Sequence, residues 1–222
     1  MAVSIDEQCC LSSHPLLPFL IVVLVAGATY WHITTIYEAQ VVETLKKYIK
    51  ERRDKESLIF ELAAENHQVF KNNFIDAFNS NINVSDNEFI ERFITQEDGT
   101  TRLIADTYYG LSTAQGNQLK NLTGYIGSSA PVKDQIFRNK VNISYHLLAQ
   151  YGPAWTNRFE SLYVSMPENV ALLYWPDLPW GLDAASNLDV TQEQWYTIAT
   201  KENNPQRSPV WTGLYYDQTA KD

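Results

Sequence analysis

Cysteine is nearly absent from this 222-residue sequence: its two cysteines, Cys9 and Cys10, are adjacent and lie near the amino terminus. Disulfide bridges and thiolate metal sites are therefore excluded from the rest of the chain. Motifs of common enzymes are also missing, because no G-x-S-x-G, H-E-x-x-H, Walker or G-x-G-x-x-G pattern occurs. The four histidines are scattered, and no serine or cysteine has an evident base nearby. We expect no catalytic residue, no metal and no cofactor in this chain.

An excess of positive charge is missing as well, since the formal net charge is −9 at pH 7. The phosphates of nucleic acids repel an acidic protein, so we do not expect a nucleic-acid partner. Apolar residues make up 45% of the sequence and aromatic residues 13%, which argues against general disorder. The residues after the amino-terminal apolar segment suffice for one domain of ordinary size.

Charged residues are missing from one long segment near the amino terminus. Between Glu7 and Glu38, thirty consecutive residues contain no Asp, Glu, Lys or Arg. Residues 16–31 within this segment are almost all apolar. About 20 apolar residues in a helix cross a hydrocarbon core of about 30 Å. The sequence therefore predicts a short tail at 1–15 and a membrane helix at 16–36, which binds the chain to a membrane.

The apolar segment leaves two alternatives open. Residues 26–28 form an A-x-A pattern that also fits a signal-peptide cleavage site, but the preceding residues lack Lys and Arg and include Asp6 and Glu7. An uncleaved anchor is favoured. The basic residues within 46–55 favour a cytoplasmic domain under the positive-inside rule. However, they are mixed with acidic residues, and long domains are translocated with less regard to charge.

Glycine and proline do not occur between residues 34 and 79. Apolar residues recur there mostly at steps of three and four, as in Val41, Leu45 and Tyr48, which is the spacing of a helix. Such a helix is far longer than the average of about 11–12 residues. We predict a long stalk helix at 37–79, through which two copies of the chain pair as a homodimer.

Residues 80–222 combine helical and strand patterns, which predicts an α+β domain with an antiparallel sheet and helical inserts. Ser85 and Glu88 form a capping-box pattern before one short helix, and Thr191 and Gln194 form another. The predicted helices are 86–94, 131–151 (stopped by Gly152 and Pro153) and 191–200. The predicted strands are 100–109, 159–166, 170–175 and 210–217, with turns at 97–99 and 167–169 and loops at 110–127 and 176–189. Because the last strand has no partner after it, we expect the chain to be the amino-terminal part of a longer protein.

Aromatic residues are concentrated in the last third of the chain, where acidic residues lie between them. Four of the six tryptophans fall between residues 163 and 216. Aromatic walls with a few acids suit a small cationic or zwitterionic ligand. The same rings would also serve as ordinary core residues. The predicted ligand-binding residues are Tyr163, Asp189, Trp195, Tyr196, Trp211, Tyr215 and Asp217.

The order of these features resembles the extracytoplasmic double-Cache sensor domains of bacterial receptors. The matching features are Asp98-Gly99 before Arg102, then Tyr163-Val164, then Asp189 before Trp195-Tyr196, and finally Tyr215-Tyr216-Asp217. The resemblance covers roughly residues 35–222. It implies a PAS-like antiparallel sheet after a membrane helix and a stalk helix.

The resemblance also implies a ligand pocket in the membrane-distal module, with Trp195, Tyr196 and Asp217 at it. Members of the family that bind amino acids carry an arginine two residues before the tryptophan, and this sequence has Glu193 there. Recognition of an amino acid is therefore in doubt, and an amine or another ligand class fits as well.

These observations predict the ligand-sensing module of a receptor in the bacterial inner membrane, with one amino-terminal span and the domain outside the cytoplasm. A sensor histidine kinase is the first candidate for the output. A chemoreceptor or a cyclic-nucleotide enzyme such as a diguanylate cyclase is an alternative. Two further alternatives are a membrane-anchored structural or protein-binding domain and a membrane-anchored hydrolase.

Overall fold

A computed structural model describes residues 16–80, 86–111, 120–217 and 219–220. The chain divides into two compact units, Met1–Phe60 and Glu61–Asp222. The predicted tail at 1–15 and the capping residue Ser85 lie outside the described residues.

The first unit is formed by helix α1, Leu16–Asn79, whose last residues belong to the second unit. The helix ends at Asn79, as the sequence predicts. Its apolar amino-terminal part is fully exposed and is long enough to be a candidate membrane span by length and composition, criteria that a signal sequence also meets. Further along, ion pairs such as that of Arg52 Nε with Glu56 Oε1, 2.8 Å apart, stabilise the helix surface.

The second unit is an α+β domain with a five-stranded antiparallel sheet in the order β1-β2-β3-β5-β4. Its longer elements are helix α4 and the central strands β3 and β5, which pair over five residues. The elements after α1 are α2 (Asp86–Arg92), β1 (Phe93–Thr95), β2 (Thr101–Leu103), α3 (Ala105–Tyr109), β3 (Leu122–Ile126), α4 (Gln135–Trp155), β4 (Leu162–Met166), β5 (Val170–Tyr174), α5 (Trp180–Asp183), a 3₁₀ turn (Val190–Gln192) and α6 (Gln194–Thr197).

Strands β3 and β5 are buried along their whole length, so both faces of the sheet are covered. Alternate residues reach opposite faces. Leu122 and Leu172 belong to a core cluster that also includes α4 residues such as Val141 and Leu148. Tyr125 and Leu173 belong to a second cluster on the other face.

The carboxyl-terminal turns of α1 also contact the first face of this domain. Phe70 packs against the first core cluster, and its ring centroid lies 6.0 Å from that of Tyr151 on α4. The side-chain amide of Asn73 donates a hydrogen bond to the Tyr151 hydroxyl. The end of the long helix is therefore part of the domain rather than a free stalk.

Several element predictions are confirmed: the turns at 97–99 and 167–169 and the strands within 159–166 and 170–175. Others are wrong. The predicted strand 100–109 is shorter in the structure, because β2 ends at Leu103 and the following residues form helix α3. Gly110, with φ 71°, provides the left-handed cap at the end of that helix. The predicted helix 86–94 ends at Arg92, and β1 starts at Phe93.

The loop predicted at 110–127 contains strand β3, and its residues 112–119 lie outside the described ones. Gly124 lies in this strand, and the close packing requires a glycine there, because a Cβ atom would lie 2.7 Å from Leu172 Cδ2. The predicted helix 191–200 is a 3₁₀ turn followed by the separate helix α6.

Segment 210–217, predicted as a strand, has no strand conformation, since within the described chain no backbone ladder holds it.

Helix α4 continues through Gly152 and Pro153 to Trp155, although the sequence predicts that it stops there. A proline in the last turn removes few helical hydrogen bonds, and Gly152 has a packing role. A Cβ atom at Gly152 would lie 2.3 Å from Cγ and 2.6 Å from Cδ2 of Tyr174, which is buried on β5.

Substitution Gly152→Ala should therefore lower the free energy of unfolding. Overpacking costs about 1–3 kcal/mol, and the higher helix propensity of alanine contributes about 1 kcal/mol, so we expect a net loss of up to about 2 kcal/mol. Urea unfolding of the full chain in detergent, followed by circular dichroism, measures it. Gly213→Ala is the control, because a Cβ atom there meets nothing within 4 Å. Equal stability of Gly152→Ala and the wild type would contradict this packing account.

Candidate functional site

The second face of the sheet is covered by a segment with little regular structure. Residues 175–196 contain only the short helix α5, the 3₁₀ turn and the start of α6. Backbone groups in such a segment need other hydrogen-bond partners when they are buried. Side chains from the sheet provide them.

Arg102 on β2 makes the largest set of these contacts. Its Nη1 donates to the carbonyls of Gly181 and Leu182 at 2.7 and 3.0 Å, and its Nη2 donates to that of Ala184 at 2.7 Å. Its guanidinium carbon also lies 5.2 Å from the ring centroid of Tyr125. Arg102 therefore satisfies the carboxyl-terminal carbonyls of α5 and holds Trp180, the first residue of that helix, at the sheet.

Other residues of the sheet bind the same segment. The Tyr125 hydroxyl donates to the Leu188 carbonyl at 2.7 Å, and Thr123 Oγ1 accepts from the Gly181 amide at 3.1 Å. Asn169, in the turn between β4 and β5, accepts from the Val190 amide at 2.8 Å. The covering segment is thus attached to the sheet at two places, residues 181–184 and residues 188–190.

A cavity of about 250 Å³ lies in the second unit beside this cover. Its floor is formed by Ala171 and Leu173 of β5. Its walls are mainly aromatic. The aromatic residues that line it are Tyr163, Trp175, Trp180, Trp195 and Tyr215.

The rings of this cavity stand nearly perpendicular to one another. The ring centroid of Trp195 lies 5.2 Å from that of Tyr163 and 6.3 Å from that of Trp180, with interplanar angles of 76° and 81°. Edge-to-face contacts of this kind are favourable and fix the ring orientations. The arrangement is a corner in which ring faces and edges meet.

Asp217 is the carboxylate of the aromatic corner. Its Oδ1 and Oδ2 accept the indole N–H of Trp180 at 3.3 and 3.2 Å. Oδ1 also accepts the backbone amides of Thr219 and Ala220 at 2.8 and 3.0 Å. One carboxylate therefore joins the end of the described chain to the buried Trp180.

A second cavity, of about 490 Å³, shares Trp180, Trp195 and Asp217 with the first. It adds two more acids, Asp183 and Glu193. Among the described residues that line the two cavities there is no Lys, Arg or His. The site is therefore negatively charged.

The pKa values of neighbouring groups reflect this environment. Burial, followed by the charges of Asp217 and Asp189, raises the pKa of Glu193. Burial of the hydroxyl, together with nearby Tyr215, raises the pKa of Tyr163 to about 12, although that residue is 42% exposed as a whole. Both pKa values are raised because this environment disfavours a further negative charge.

The structure brings together four of the seven predicted ligand-binding residues: Tyr163, Trp195, Tyr215 and Asp217 all line the first cavity. The other three lie elsewhere. Tyr196 lines a separate surface cavity with Lys201 and Arg207, and Trp211 is 51% exposed. Asp189 caps the 3₁₀ turn, where it accepts from the Thr191 amide at 3.0 Å.

The predicted set omits Trp175, Trp180 and Glu160, which also line the first cavity. Both tryptophans belong to the aromatic cluster visible in the sequence. Their position at the cavity depends on the fold of an irregular segment, which the sequence pattern does not specify.

A third cavity lies between the end of α1 and the end of α4, where Ala63 and His67 face Trp155 and Phe159. Its volume is only about 60 Å³, and burial lowers the pKa of His67. Within the described residues, no group of three or more His, Cys, Asp or Glu is placed to hold a metal. The acidic, aromatic cavity is therefore the best candidate for a binding site.

Comparison with known proteins adds nothing to this assignment: no family model, no curated protein and no solved structure matches the chain.

Replacement of Arg102 should loosen the cover of the sheet. Arg102→Met keeps the side-chain length but leaves three carbonyls without their donor, and hydrogen bonds to a charged group contribute about 1.5–3 kcal/mol. We expect the free energy of unfolding to fall by about 2–3 kcal/mol and the near-ultraviolet dichroism of the tryptophans to weaken. The control is Arg53→Met on the exposed surface of α1, where Arg53 pairs only with the adjacent Asp54 in the described contacts. If Arg102→Met changed stability no more than Arg53→Met does, the role of Arg102 would be disproved.

Proposed function

We propose that this chain is the extracytoplasmic ligand-sensing module of a bacterial transmembrane receptor of the double-Cache, PAS-like type. A small amine or zwitterion is its ligand, and the cavity at Trp180, Trp195 and Asp217 is its binding site. The helix at 16–36 anchors it in the inner membrane, and the stalk at 37–79 pairs with a second copy through its part in the first unit, up to Phe60. A sensor histidine kinase is the first candidate for the output, ahead of a chemoreceptor or a diguanylate cyclase.

The observation that carries this proposal is the cavity itself. Concave sites with aromatic walls and a few polar groups are the usual form of small-molecule sites. Here an apolar floor, five aromatic residues and the Asp217 carboxylate meet in one place. Ser161 also lines the cavity, but no described hydrogen bond joins its hydroxyl to a base, so binding fits this cavity better than catalysis does.

The proposed dimer is supported by the surface of α1 within the first unit. Val41, Leu45, Tyr48 and Ile49 are each at least 43% exposed there. Their spacing of three and four places apolar side chains along one side of the helix, as in a coiled-coil seam.

A protein-binding anchored domain is the second candidate, and one observation favours it. Segment 210–216 exposes several large apolar side chains, among them Trp211 at 51% and Tyr216 at 66%. Exposed apolar patches are often contact sites for other proteins. This candidate predicts a protein partner and no response to small molecules.

A screen of thermal stability with amines, amino acids and carboxylates tests the sensor function on the full chain in maltoside detergent. A ligand at 100 times its Kd stabilises the protein by about 2.7 kcal/mol, so a clear rise in Tm is expected for at least one class. Asp217→Asn should reduce that rise by about half or more. Asp177→Asn, an exposed acid outside the described cavity linings, should retain it. A Tm that no compound changes, or equal responses in both variants, would count against ligand sensing.

The orientation is tested with reporters fused after Asp222. If the domain is exported, alkaline phosphatase at this position will be active in bacterial cells, whereas green fluorescent protein will not fluoresce. The opposite result would place the domain in the cytoplasm, as the basic residues within 46–55 suggest under the positive-inside rule. Release of the fused reporter into the soluble extracytoplasmic fraction would show cleavage after residues 26–28.

A further inference from the structure

We infer that the aromatic cavity selects a quaternary ammonium cation over primary amines and amino acids. This inference rests on the proposed ligand-sensing function and narrows its ligand class. Three properties of the site support it: the arrangement of the rings, the charges of the lining residues, and the hydrogen bonds that Asp217 already makes.

The rings form a corner suited to a rounded cation. Trp195 makes near-perpendicular contacts with both Tyr163 and Trp180, at centroid distances of 5.2 and 6.3 Å. A cation in such a corner lies close to more than one aromatic ring. Cations within about 6 Å of a ring centroid are attracted by the ring, and tryptophan binds them best. Methylated ammonium groups are recognised in aromatic cages of this kind.

The described lining residues include no positively charged side chain that could pair with a ligand carboxylate. The acids at the two adjoining cavities are Glu160, Asp183, Glu193 and Asp217, and no described lining residue is basic. Amino acids and other zwitterions would bring a carboxylate into this negative site without a cation to pair it. The unfavourable charge interaction selects ligands that carry positive charge alone.

The hydrogen bonds of Asp217 distinguish between kinds of cation. Its Oδ1 already accepts hydrogen bonds from Trp180, Thr219 and Ala220, whereas Oδ2 accepts only a share of the Trp180 indole N–H, so the carboxylate has fewer free acceptor positions than an ammonium group has donors. A primary ammonium group has three N–H donors, and it loses free energy when it leaves water unless acceptors replace the water. A quaternary ammonium group has no N–H donor. It gains from the negative charge of Asp217 and from the rings, and it does not require free acceptor positions.

Isothermal titration of the full chain in maltoside detergent tests this selectivity with four probes that differ by one property each. Choline carries the quaternary group, ethanolamine is the primary amine, and 3,3-dimethylbutanol is the uncharged analogue of the same shape. Glycine betaine adds a carboxylate. We expect choline to bind at least tenfold more tightly than each of the other three. Phosphocholine adds the phosphate of a lipid headgroup to choline. It should bind more weakly than choline, because the acidic lining repels the phosphate, and equal or tighter binding would disprove the selection against anionic groups.

Variants of the full chain locate the binding. Trp195→Ala should abolish choline binding, and Trp195→Phe should retain a part of it, provided that circular dichroism shows both variants to be folded. Asp217→Asn should weaken binding at least tenfold. Trp31→Ala, a change on α1 in the first unit, is the control outside the described cavity linings and should bind choline as the wild type does.

Three results would overturn the inference, and the first two would leave the proposed function standing. If ethanolamine or glycine betaine bound as tightly as choline or more tightly, the site would still sense ligands, but its selectivity for quaternary ammonium would be disproved. If 3,3-dimethylbutanol bound equally well, the role of charge would be disproved. If neither these probes nor the wider screen of amines, amino acids and carboxylates gave binding, both the inference and the sensor function would fail.

Discussion

The burial of β3 and β5 on both faces is the constraint on which the rest of the domain depends. These strands place apolar residues alternately toward two core clusters, so neither face of the sheet tolerates water. One face is covered by α4 and the end of α1, whose regular backbones satisfy their own hydrogen bonds. The other face is covered by an irregular segment that does not. Arg102 and Tyr125 attach this cover, and the aromatic cavity is formed at the place where the cover meets the sheet.

The use of Arg102 as a structural residue also determines the electrostatic character of the site. It is the only charged residue in the five strands of the described domain. Its donors are directed to three backbone carbonyls, so its charge is partly compensated within the cover. The acids around the cavity consequently have no basic neighbour among the described lining residues, and the raised pKa of Glu193 follows from burial and from this surplus of negative charge. A bound cation would relieve the surplus.

The sequence is informative where one periodicity determines the structure. The long run without glycine and proline predicts α1 to its last residue, and the alternation after Phe159 predicts β4 and β5. Prediction from the sequence fails where a glycine has a packing role, as at Gly124 in β3 and Gly152 in α4. In the sequence, both glycines resemble residues that end a strand or a helix. At the site, the sequence indicates the aromatic and acidic composition. It does not specify which rings converge, since Trp180 is positioned by long-range hydrogen bonds. The neighbouring Gly181 binds Arg102 and Thr123, and the indole N–H of Trp180 donates to Asp217.

Strand β4 gives a physical reason why binding in the cavity can influence the long helix in the proposed receptor. Tyr163 lines the aromatic cavity, whereas the neighbouring Leu162 and Val164 pack against the first core cluster on the opposite face of the sheet. Phe70, near the end of α1, packs against the same cluster. Because a close-packed core transmits displacements rather than absorbing them, a ligand that shifts Tyr163 also shifts side chains in contact with the cluster that holds α1. Such a shift becomes a signal only if the helix has two arrangements that the ligand stabilises differently, since a ligand with equal affinity for both changes neither population.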